Sequence, residues 1–281
     1  MGYICGGQGI EIGGDFKEKH MKIATYNVWY PNVEKREAQL LREICGLGAD
    51  IIGLQEVPPE FYEKLTENSG YVYHTYSRYD APGSDDEEMG LALLSKLPFS
   101  EQTSLIESGV DAFNVILEDD GIRYSVMNVH LPWDSVLEKE KQIVAIDEYI
   151  HNQKEKADFF ILLGDFNCTE SSSVHHFLLG DQSLLGSEAK PYWNDLAGAH
   201  AALNGYSVKP TLDFVNNPRW RGENTNYVPY TCDRIYIMES FNWDNEFKLR
   251  DIEVFGKEVS VETGLAPSDH YGVCAAVDFK V

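Results

Sequence analysis

Several short apolar runs of this chain lead directly to a carboxylate, amide or imidazole side chain, and this arrangement limits how the chain can fold. The run from Ile23 to Tyr26 is followed by Asn27, and the run from Ile51 to Gln55 is followed by Glu56. Runs this short and this apolar are typical of strands that are buried on both faces. In an α/β fold the strand ends border a cleft, so the polar residues there are candidates for a functional site.

The same placement recurs further along the chain. The run at 125–129 ends at His130, and the run at 159–164 is followed by Asp165 and Asn167. Taken singly, Asn27, Glu56 and His130 are better explained as turn, cap or hydrogen-bonded structural residues. Asp165 with Asn167 is equally well explained by an Asx-turn. A carboxylate that closes a buried strand is nevertheless costly unless it is paired or binds a cation. The remaining candidates lie in the C-terminal third of the chain: Asp233, Asp269 and His270.

Hydrophobic spacing distinguishes the helices from the strands. Apolar residues three and four positions apart predict a helix from Val33 to Leu47, and Ser135 with Glu138 forms a capping box that predicts the start of another. Strands alternate with helices early in the chain and dominate late, while residues 170–230 are predicted to be irregular. No repeat or linker divides residues 21–281, which indicates a single layered domain of the α/β (α+β) class.

Two segments are predicted to lie outside the packed elements. Residues 1–20 are glycine-rich near their start and are expected to form a poorly ordered N-terminal arm. They lack a basic segment followed by an apolar run, so no signal peptide is predicted. The acidic stretch from Asp80 to Glu88 carries proline and glycine and is predicted to be an exposed loop.

The net charge limits the partners that this chain can have. With 23 basic and 46 acidic residues the formal charge is −23, which repels polyanions over roughly 8 Å at physiological salt. Coating of duplex nucleic acid depends on neutralising many phosphates and is therefore not expected, whereas a local cleft can still hold a phosphate. No run approaches the roughly 18 apolar residues of a transmembrane helix.

The cysteines indicate the compartment. The five of them are far apart and form no Cys-x-x-Cys pair. A disulfide framework or a structural zinc site is therefore not expected, and a reducing compartment fits better. We accordingly expect a cytoplasmic protein, and we expect a monomer.

Considered in order, the polar strand ends resemble the motifs of the endonuclease/exonuclease/phosphatase superfamily, over residues 22–281. The resemblance implies a four-layer αββα sandwich of two mixed β-sheets flanked by helices, with the site at one edge. It also implies cleavage of phosphoester bonds that depends on a divalent metal. The six signals are Asn27, Leu-Gln-Glu-Val at 54–57, Asn-Val-His-Leu at 128–131, Gly-Asp-Phe-Asn at 164–167, Asp-Arg-Ile at 233–235 and Ser-Asp-His at 268–270.

The resemblance also implies roles for the carboxylates and amides. Glu56 corresponds to the main metal ligand, with Asn27 beside it and Asp269 assisting the metal or the leaving group. Asp165 corresponds to the base that activates water, and Asn167 orients that water. The residue chemistry agrees, because several carboxylates in one pocket repel each other and need a cation. Oxygen ligands favour Mg²⁺, with Mn²⁺ as the alternative cofactor.

The two histidines are assigned to the phosphate in the same way. His270 would stabilise the transition state and would itself be oriented by Asp233, and His130 would contact a phosphate oxygen. A phosphoester substrate is therefore the expected partner, and the end of a nucleic acid is the leading candidate.

The C-terminal motifs are most similar to the tyrosyl-DNA phosphodiesterase 2 branch of the superfamily. Asp-Arg-Ile at 233–235 and Pro-Ser-Asp-His at 267–270 carry this similarity. Arg234 is accordingly a candidate for a charge-assisted contact to substrate phosphate, and Trp220, within Arg-Trp-Arg, for stacking on a base. Trp29 departs from the DNA-repair branches, which carry Asp two residues after the asparagine.

Three alternatives remain open from the sequence. Two are enzymes of the same superfamily, a sphingomyelinase-like phospholipase and a phosphatase acting on sugar or inositol phosphates. The third is a non-catalytic scaffold on this fold, although loss of a site residue would be expected of it and the set is intact.

Overall fold

Two six-stranded sheets and five α-helices form the computed structural model, which describes residues 17–80, 88–222, 227–242 and 244–281. The helices are α1 (Glu37–Leu47), α2 (Pro59–Asn68), α3 (Val136–His151), α4 (Ser173–Leu178) and α5 (Leu196–Asn204). The strands are β1 (Glu18–Asn27), β2 (Ile51–Val57), β3 (Tyr73–Asp80), β4 (Glu88–Ser95), β5 (Phe99–Ser104), β6 (Ala112–Asp119), β7 (Ile122–His130), β8 (Phe159–Asp165), β9 (Trp193–Asp195), β10 (Asp233–Met238), β11 (Glu246–Phe255) and β12 (Gly272–Lys280).

Both sheets are mixed. The first has the order β11-β12-β1-β2-β4-β3, with β1 and β2 parallel and its other neighbours antiparallel. The second has the order β5-β6-β7-β8-β10-β9, and there only β7 and β8 are parallel. The parallel pair lies near the centre of each sheet, so β1, β2, β7 and β8 all bring their C-terminal ends to one edge of the molecule.

Three buried clusters separate four layers. The central cluster joins the inner faces of the sheets, with Ile23 of β1 and Ile161 of β8 among its members. A second cluster packs α1 and α2 on the outside of the first sheet, and a third packs α3 and α4 on the outside of the second. The predicted αββα sandwich is thereby confirmed. Burying both faces of each central strand also explains why these strands are almost continuously apolar.

Several local predictions hold and others do not. The Ser135 side chain accepts a hydrogen bond from the Glu138 N–H, as the capping box requires. The helix predicted from Val33 is a short 3₁₀ turn followed by α1. The prediction that residues 170–230 are irregular is wrong in part, because α4, β9 and α5 lie there. Strand β5 was not predicted, because its exposed, polar residues give no apolar signal.

The predicted N-terminal arm and the predicted acidic loop both lie largely outside the described residues. β1 begins at Glu18 and pairs with β12, so the last residues of the predicted 1–20 arm belong to the first sheet. Residues 1–16 lie outside the described residues, as do residues 81–87 of the predicted acidic loop. Among the described helices, none combines the length and the apolar character needed to cross a membrane.

Candidate active site

Strand alternation directs four of the predicted residues into the space between the sheets. In β8, Phe159, Ile161 and Leu163 face the central cluster, so Asp165 faces the same way. The same alternation places three more residues on the inner faces of their sheets: Asn27 at the end of β1, His130 at the end of β7 and Asp233 at the start of β10. The catalytic candidates therefore line one end of the sandwich interior.

Glu56 reaches this site through an irregularity in β2. Leu54 packs in the outer cluster beneath the helices, so regular alternation would turn Glu56 outward as well. Val57 packs in the same outer cluster, which shows that the alternation is broken between Leu54 and Val57. The pairing of β2 with β4 shifts between these two residues, and Glu56 has a left-handed backbone with φ 54°. A left-handed conformation costs of order 1–3 kcal/mol for a residue other than glycine and is characteristic of functional sites. Here it turns a carboxylate into the site.

A buried amide network lies next to the site, between the sheets. Gln55 Nε2 donates to Asn128 Oδ1 at 2.7 Å and to Thr25 Oγ1 at 3.0 Å. Asn128 Nδ2 donates in turn to the carbonyl oxygens of Leu54 and Ala92 at 3.1 and 2.9 Å. These bonds connect β1, β2 and β7 near their C-terminal ends and so fix how the two sheets meet at the site.

One amide links the two central carboxylates. Asn27 Nδ2 donates to Glu56 Oε1 at 2.9 Å and to Asp165 Oδ2 at 3.0 Å. Asn27 Oδ1 accepts the Trp29 N–H at 2.9 Å. The other oxygen of Asp165 accepts the Asn167 N–H at 2.8 Å, and the Asn167 amide donates to Leu131 O at 2.9 Å. Both carboxylates are therefore held in fixed orientations.

His270 and Asp233 form the expected pair. His270 Nδ1 lies 2.9 Å from Asp233 Oδ2 and 3.8 Å from Asp165 Oδ2. Burial favours the neutral ring, but the carboxylates of Asp233 and Asp165 outweigh it and hold the pKa of His270 well above its ordinary value. Burial also raises the pKa of Asp165, yet His270, His130 and the donated hydrogen bonds leave that pKa below its ordinary value. These shifts favour a protonated His270 ring beside an ionised Asp165.

Tyr79 is a site residue that the sequence did not indicate. Its hydroxyl lies 2.6 Å from His130 Nδ1, and burial raises its pKa well above the ordinary value. The other ring nitrogen, Nε2, lies 3.7 Å from Glu56 Oε1 and 3.8 Å from Asp165 Oδ2. Because Tyr79 belongs to β3, at the far edge of the other sheet, only the packing of the two sheets brings it to His130.

Cys232 is a second residue that was missed. Its sulfur lies 3.7 Å from His270 Nδ1 and 3.4 Å from Asp233 Oδ2. The ligand atoms of Asp165, Cys232 and His270 all lie within 4.8 Å of one another, which is close enough for them to share a metal ion. The available signal was its position directly before Asp233.

Asp269 is presented by a loop that several hydrogen bonds hold. Ser268 Oγ donates to Asn27 O at 2.8 Å, and Asn217 Nδ2 donates to Asp269 O at 3.0 Å. Trp220 Nε1 donates to the same carbonyl at 3.2 Å while its ring packs edge-on against Phe214. Burial raises the pKa of Asp269 to about 6. Trp220 therefore lies beside the site, and its predicted stacking on a base remains a prediction.

Arg234 does not face the site, and its predicted contact with substrate phosphate is wrong. It follows Asp233 in β10, so its side chain points to the opposite face of the sheet. The guanidinium is completely buried and donates to Asp195 Oδ2 at 2.6 Å and to Thr231 O at 3.0 Å. Its NH2 nitrogen also lies 3.0 Å from Glu170 Oε1. With these partners Arg234 is a structural cation.

The donor chemistry of the site fits a hard divalent cation. Glu56 and Asp165 lie on either side of one amide, and the only cationic side chains within ion-pair distance of them, among the residues described, are histidines. Two neighbouring carboxylates without a lysine or arginine partner repel each other unless a cation joins them. Oxygen donors of this kind suit Mg²⁺ or Mn²⁺. Glu56, Asn27 and Asp269 remain the predicted ligands of this ion.

Comparison with known proteins identifies the family. The family model described as the endonuclease/exonuclease/phosphatase family matches residues 24–270. A probable CCR4-Not complex 3'-5'-exoribonuclease subunit Ccr4 from Vairimorpha ceranae is 25% identical over 96% of this chain, which spans 66% of that relative's length.

Solved structures share the fold at low identity. D. rerio TDP2 complexed with a single-stranded DNA product is 20% identical, with a TM-score of 0.69 over 92% of this chain and 98% of that one. An endonuclease/exonuclease/phosphatase family protein from Bacteroides thetaiotaomicron is 16% identical, with a TM-score of 0.68 over 94% and 100% of the two chains. On the strength of the family match, the shared fold and the strand-end residues gathered at one site, this chain belongs to the endonuclease/exonuclease/phosphatase family.

Proposed function

We propose that this protein is a Mg²⁺-dependent phosphodiesterase that hydrolyses a phosphoester bond at the end of a nucleic acid. The observation that carries the proposal is the position of Asp165, which lies 3.8 Å from His270 and shares the Asn27 amide with Glu56. In this proposal a base, a cationic imidazole and a metal-ligating carboxylate act on one phosphoryl group.

Asp165 is the base in this proposal. Its low pKa keeps it ionised at neutral pH, so it can accept a proton from water as the oxygen attacks phosphorus in line with the leaving group. General base catalysis of this kind typically contributes about 10²–10⁴-fold. The Asn27 and Asn167 hydrogen bonds fix the carboxylate, which lowers the cost of orienting it during the reaction.

The imidazolium of His270 stabilises the charge that develops on the phosphoryl oxygens. Its pairing with Asp233 holds the ring and keeps the proton on it. His130 directs Nε2 toward the two carboxylates, close to where a phosphate oxygen would bind, while Tyr79 occupies Nδ1. When bound, Mg²⁺ would polarise the phosphoryl group and neutralise its charge.

The nucleic-acid substrate is supported by the named relatives. One is a probable exoribonuclease subunit, and one structure of the same fold contains a single-stranded DNA product. The C-terminal motifs resemble the tyrosyl-DNA phosphodiesterase 2 branch, so 5′-phosphotyrosyl DNA belongs among the substrates to test.

The test is hydrolysis of bis-p-nitrophenyl phosphate in Mg²⁺, Mn²⁺ or EDTA, followed by a panel of single-stranded RNA, single-stranded DNA, 5′-phosphotyrosyl DNA, sphingomyelin and inositol phosphates. We expect turnover in Mg²⁺ or Mn²⁺, none in EDTA, and a preference for a nucleic-acid substrate. Glu56→Gln should raise the Mg²⁺ concentration needed for half-maximal rate. Turnover that persists in EDTA, or no turnover of any substrate, would contradict the proposal.

A further inference from the structure

Two arginines, Arg36 and Arg219, lie against the ring of Trp29 beside the active site and have no role in the chemistry above. Trp29 follows Asn27 by two residues, has a left-handed backbone with φ 59° and donates its N–H to the Asn27 side chain. The Arg36 and Arg219 guanidinium carbons lie 4.8 and 5.0 Å from the centre of the Trp29 ring. A ring attracts a cation that lies over its face, so these contacts hold the two guanidinium groups in place.

Arg36 uses its hydrogen bonds to build the loop. It donates to Val28 O and Pro31 O at 2.9 Å, and also to Trp29 O and Pro267 O. Its side chain is buried, and Nε has no hydrogen-bond partner among the described residues. In the part of the chain that the structure describes, all of its acceptors are neutral carbonyls and no ion pair offsets the positive charge of Arg36.

Arg219 is bound less completely. Its Nε donates to Ala266 O at 2.7 Å, and no other hydrogen bond or ion pair of its side chain is found among the described residues. Burial and, after it, the nearby charge of Arg219 lower the pKa of Arg36 to about 10. Burial also lowers the pKa of Arg219, against the opposite effect of Asp269. The terminal nitrogens of Arg219 are therefore free to bind an anion.

These two arginines line a groove of about 440 Å³, here called the basic groove. Its other basic members are Lys35 and Arg42, and three glutamates also line it, which gives a local net charge of about +1 in a chain whose net charge is −23. Trp29 lines the groove and donates its N–H to the Asn27 side chain. Arg219 also lines it and directly precedes Trp220, whose Nε1 donates to Asp269 O. The groove therefore adjoins the site, and a substrate that extends past the scissile phosphate on this side would meet it.

We propose that the basic groove binds a second phosphate of the substrate, and that Arg219, held on Trp29, makes the contact. This inference rests on the proposed function and specifies its substrate class as a chain with more than one phosphate. It also gives a reason for Trp29 at the position where the DNA-repair branches carry Asp. The aromatic ring supports a phosphate-binding arginine, whereas a carboxylate there would repel phosphate. Guanidinium groups bind phosphate with paired, charge-assisted hydrogen bonds.

The first experiment measures binding without turnover. Fluorescence anisotropy of a labelled single-stranded oligonucleotide in EDTA should give a Kd about tenfold weaker for Arg219→Ala, because one charge-assisted contact is lost. The slope of log affinity against log salt should become shallower by about 0.7, as expected for one phosphate on a single strand. Arg221→Ala is the matched control, since it removes an exposed arginine two residues away and should change the Kd less than about twofold.

The second experiment separates the two phosphates. Arg219→Ala should raise the KM for the oligonucleotide about tenfold and leave that for bis-p-nitrophenyl phosphate, which has one phosphate, unchanged. Arg219→Gln, which keeps a donor but no charge, should behave the same and serves as the variant if the alanine form unfolds. Equal effects on both substrates, equal effects of Arg219 and Arg221, or no effect of Arg219 on oligonucleotide binding would overturn the inference. Absence of hydrolysis together with the expected binding difference would overturn only the proposed function.

Discussion

The two faces of β10 use buried charge in opposite ways. On the inner face, Asp233 belongs to a group of carboxylates whose cationic partners, among the described residues, are histidines. On the outer face, the adjacent Arg234 is matched by Asp195 and Glu170. The outer charges are compensated by the protein itself, and the inner ones require a proton or a metal ion. The incomplete compensation distinguishes the site from a structural ion pair.

Removing a charge on the inner face should affect catalysis far more than stability. Asp165→Asn keeps the shape and the hydrogen bond from the Asn167 N–H but cannot accept a proton, so kcat should fall about 10³-fold. Steady-state hydrolysis and a thermal melt of the same sample measure both effects. A variant with near-wild-type turnover would remove Asp165 from the mechanism.

Removing the charge on the outer face should do the reverse. Arg234→Met leaves Asp195 buried without its partner and should lower the free energy of unfolding by about 3 kcal/mol. The fraction that remains folded should keep its kcat. Denaturant unfolding provides the measurement. The control is Lys141→Met, which breaks an exposed pair with Glu138 and should cost about 0.3–0.5 kcal/mol. A large loss of kcat in folded Arg234→Met would contradict the division between the faces.

The Tyr79–His130 contact tests whether support from the other sheet matters. Tyr79→Phe removes one hydrogen bond from His130 and should lower kcat about fivefold, the equivalent of about 1 kcal/mol. The expected change is in kcat rather than in KM. Tyr62→Phe breaks a similar contact with His74, at 2.9 Å, away from the site, and its kcat should remain at the wild-type value. Equal kcat values for the two variants would show that Tyr79 does not position His130.

The smallest effect is expected in the pH dependence of stability. Because the folded state raises the pKa of His270, its protonation stabilises the protein fully below the ordinary value of 6.5, and this contribution declines as the pH rises through the folded pKa. In EDTA, the difference in unfolding free energy between wild type and His270→Gln should therefore be larger at pH 6 than at pH 9. A difference that grows with pH would reverse the assigned charge state.

Much of the site followed from residue order because strand geometry is local. Alternation along β8 and β10 was enough to place Asp165 and Asp233 on a common face. Applied one residue further, the same rule would have shown that Arg234 faces away. The prediction for Arg234 rests on its place in the Asp-Arg-Ile motif, although adjacent residues of a strand point to opposite faces.

The sequence alone determined the types of strand, the polar residues that close them and the family to which they belong, because apolar runs and strand periodicity depend on near neighbours. The tertiary structure decided which distant side chains meet. The irregularity that turns Glu56 inward depends on how β2 pairs with β4, and the contacts of Tyr79 with His130 and of Cys232 with His270 depend on packing between elements. Such contacts depend on sheet register and packing, which involve residues from across the whole chain.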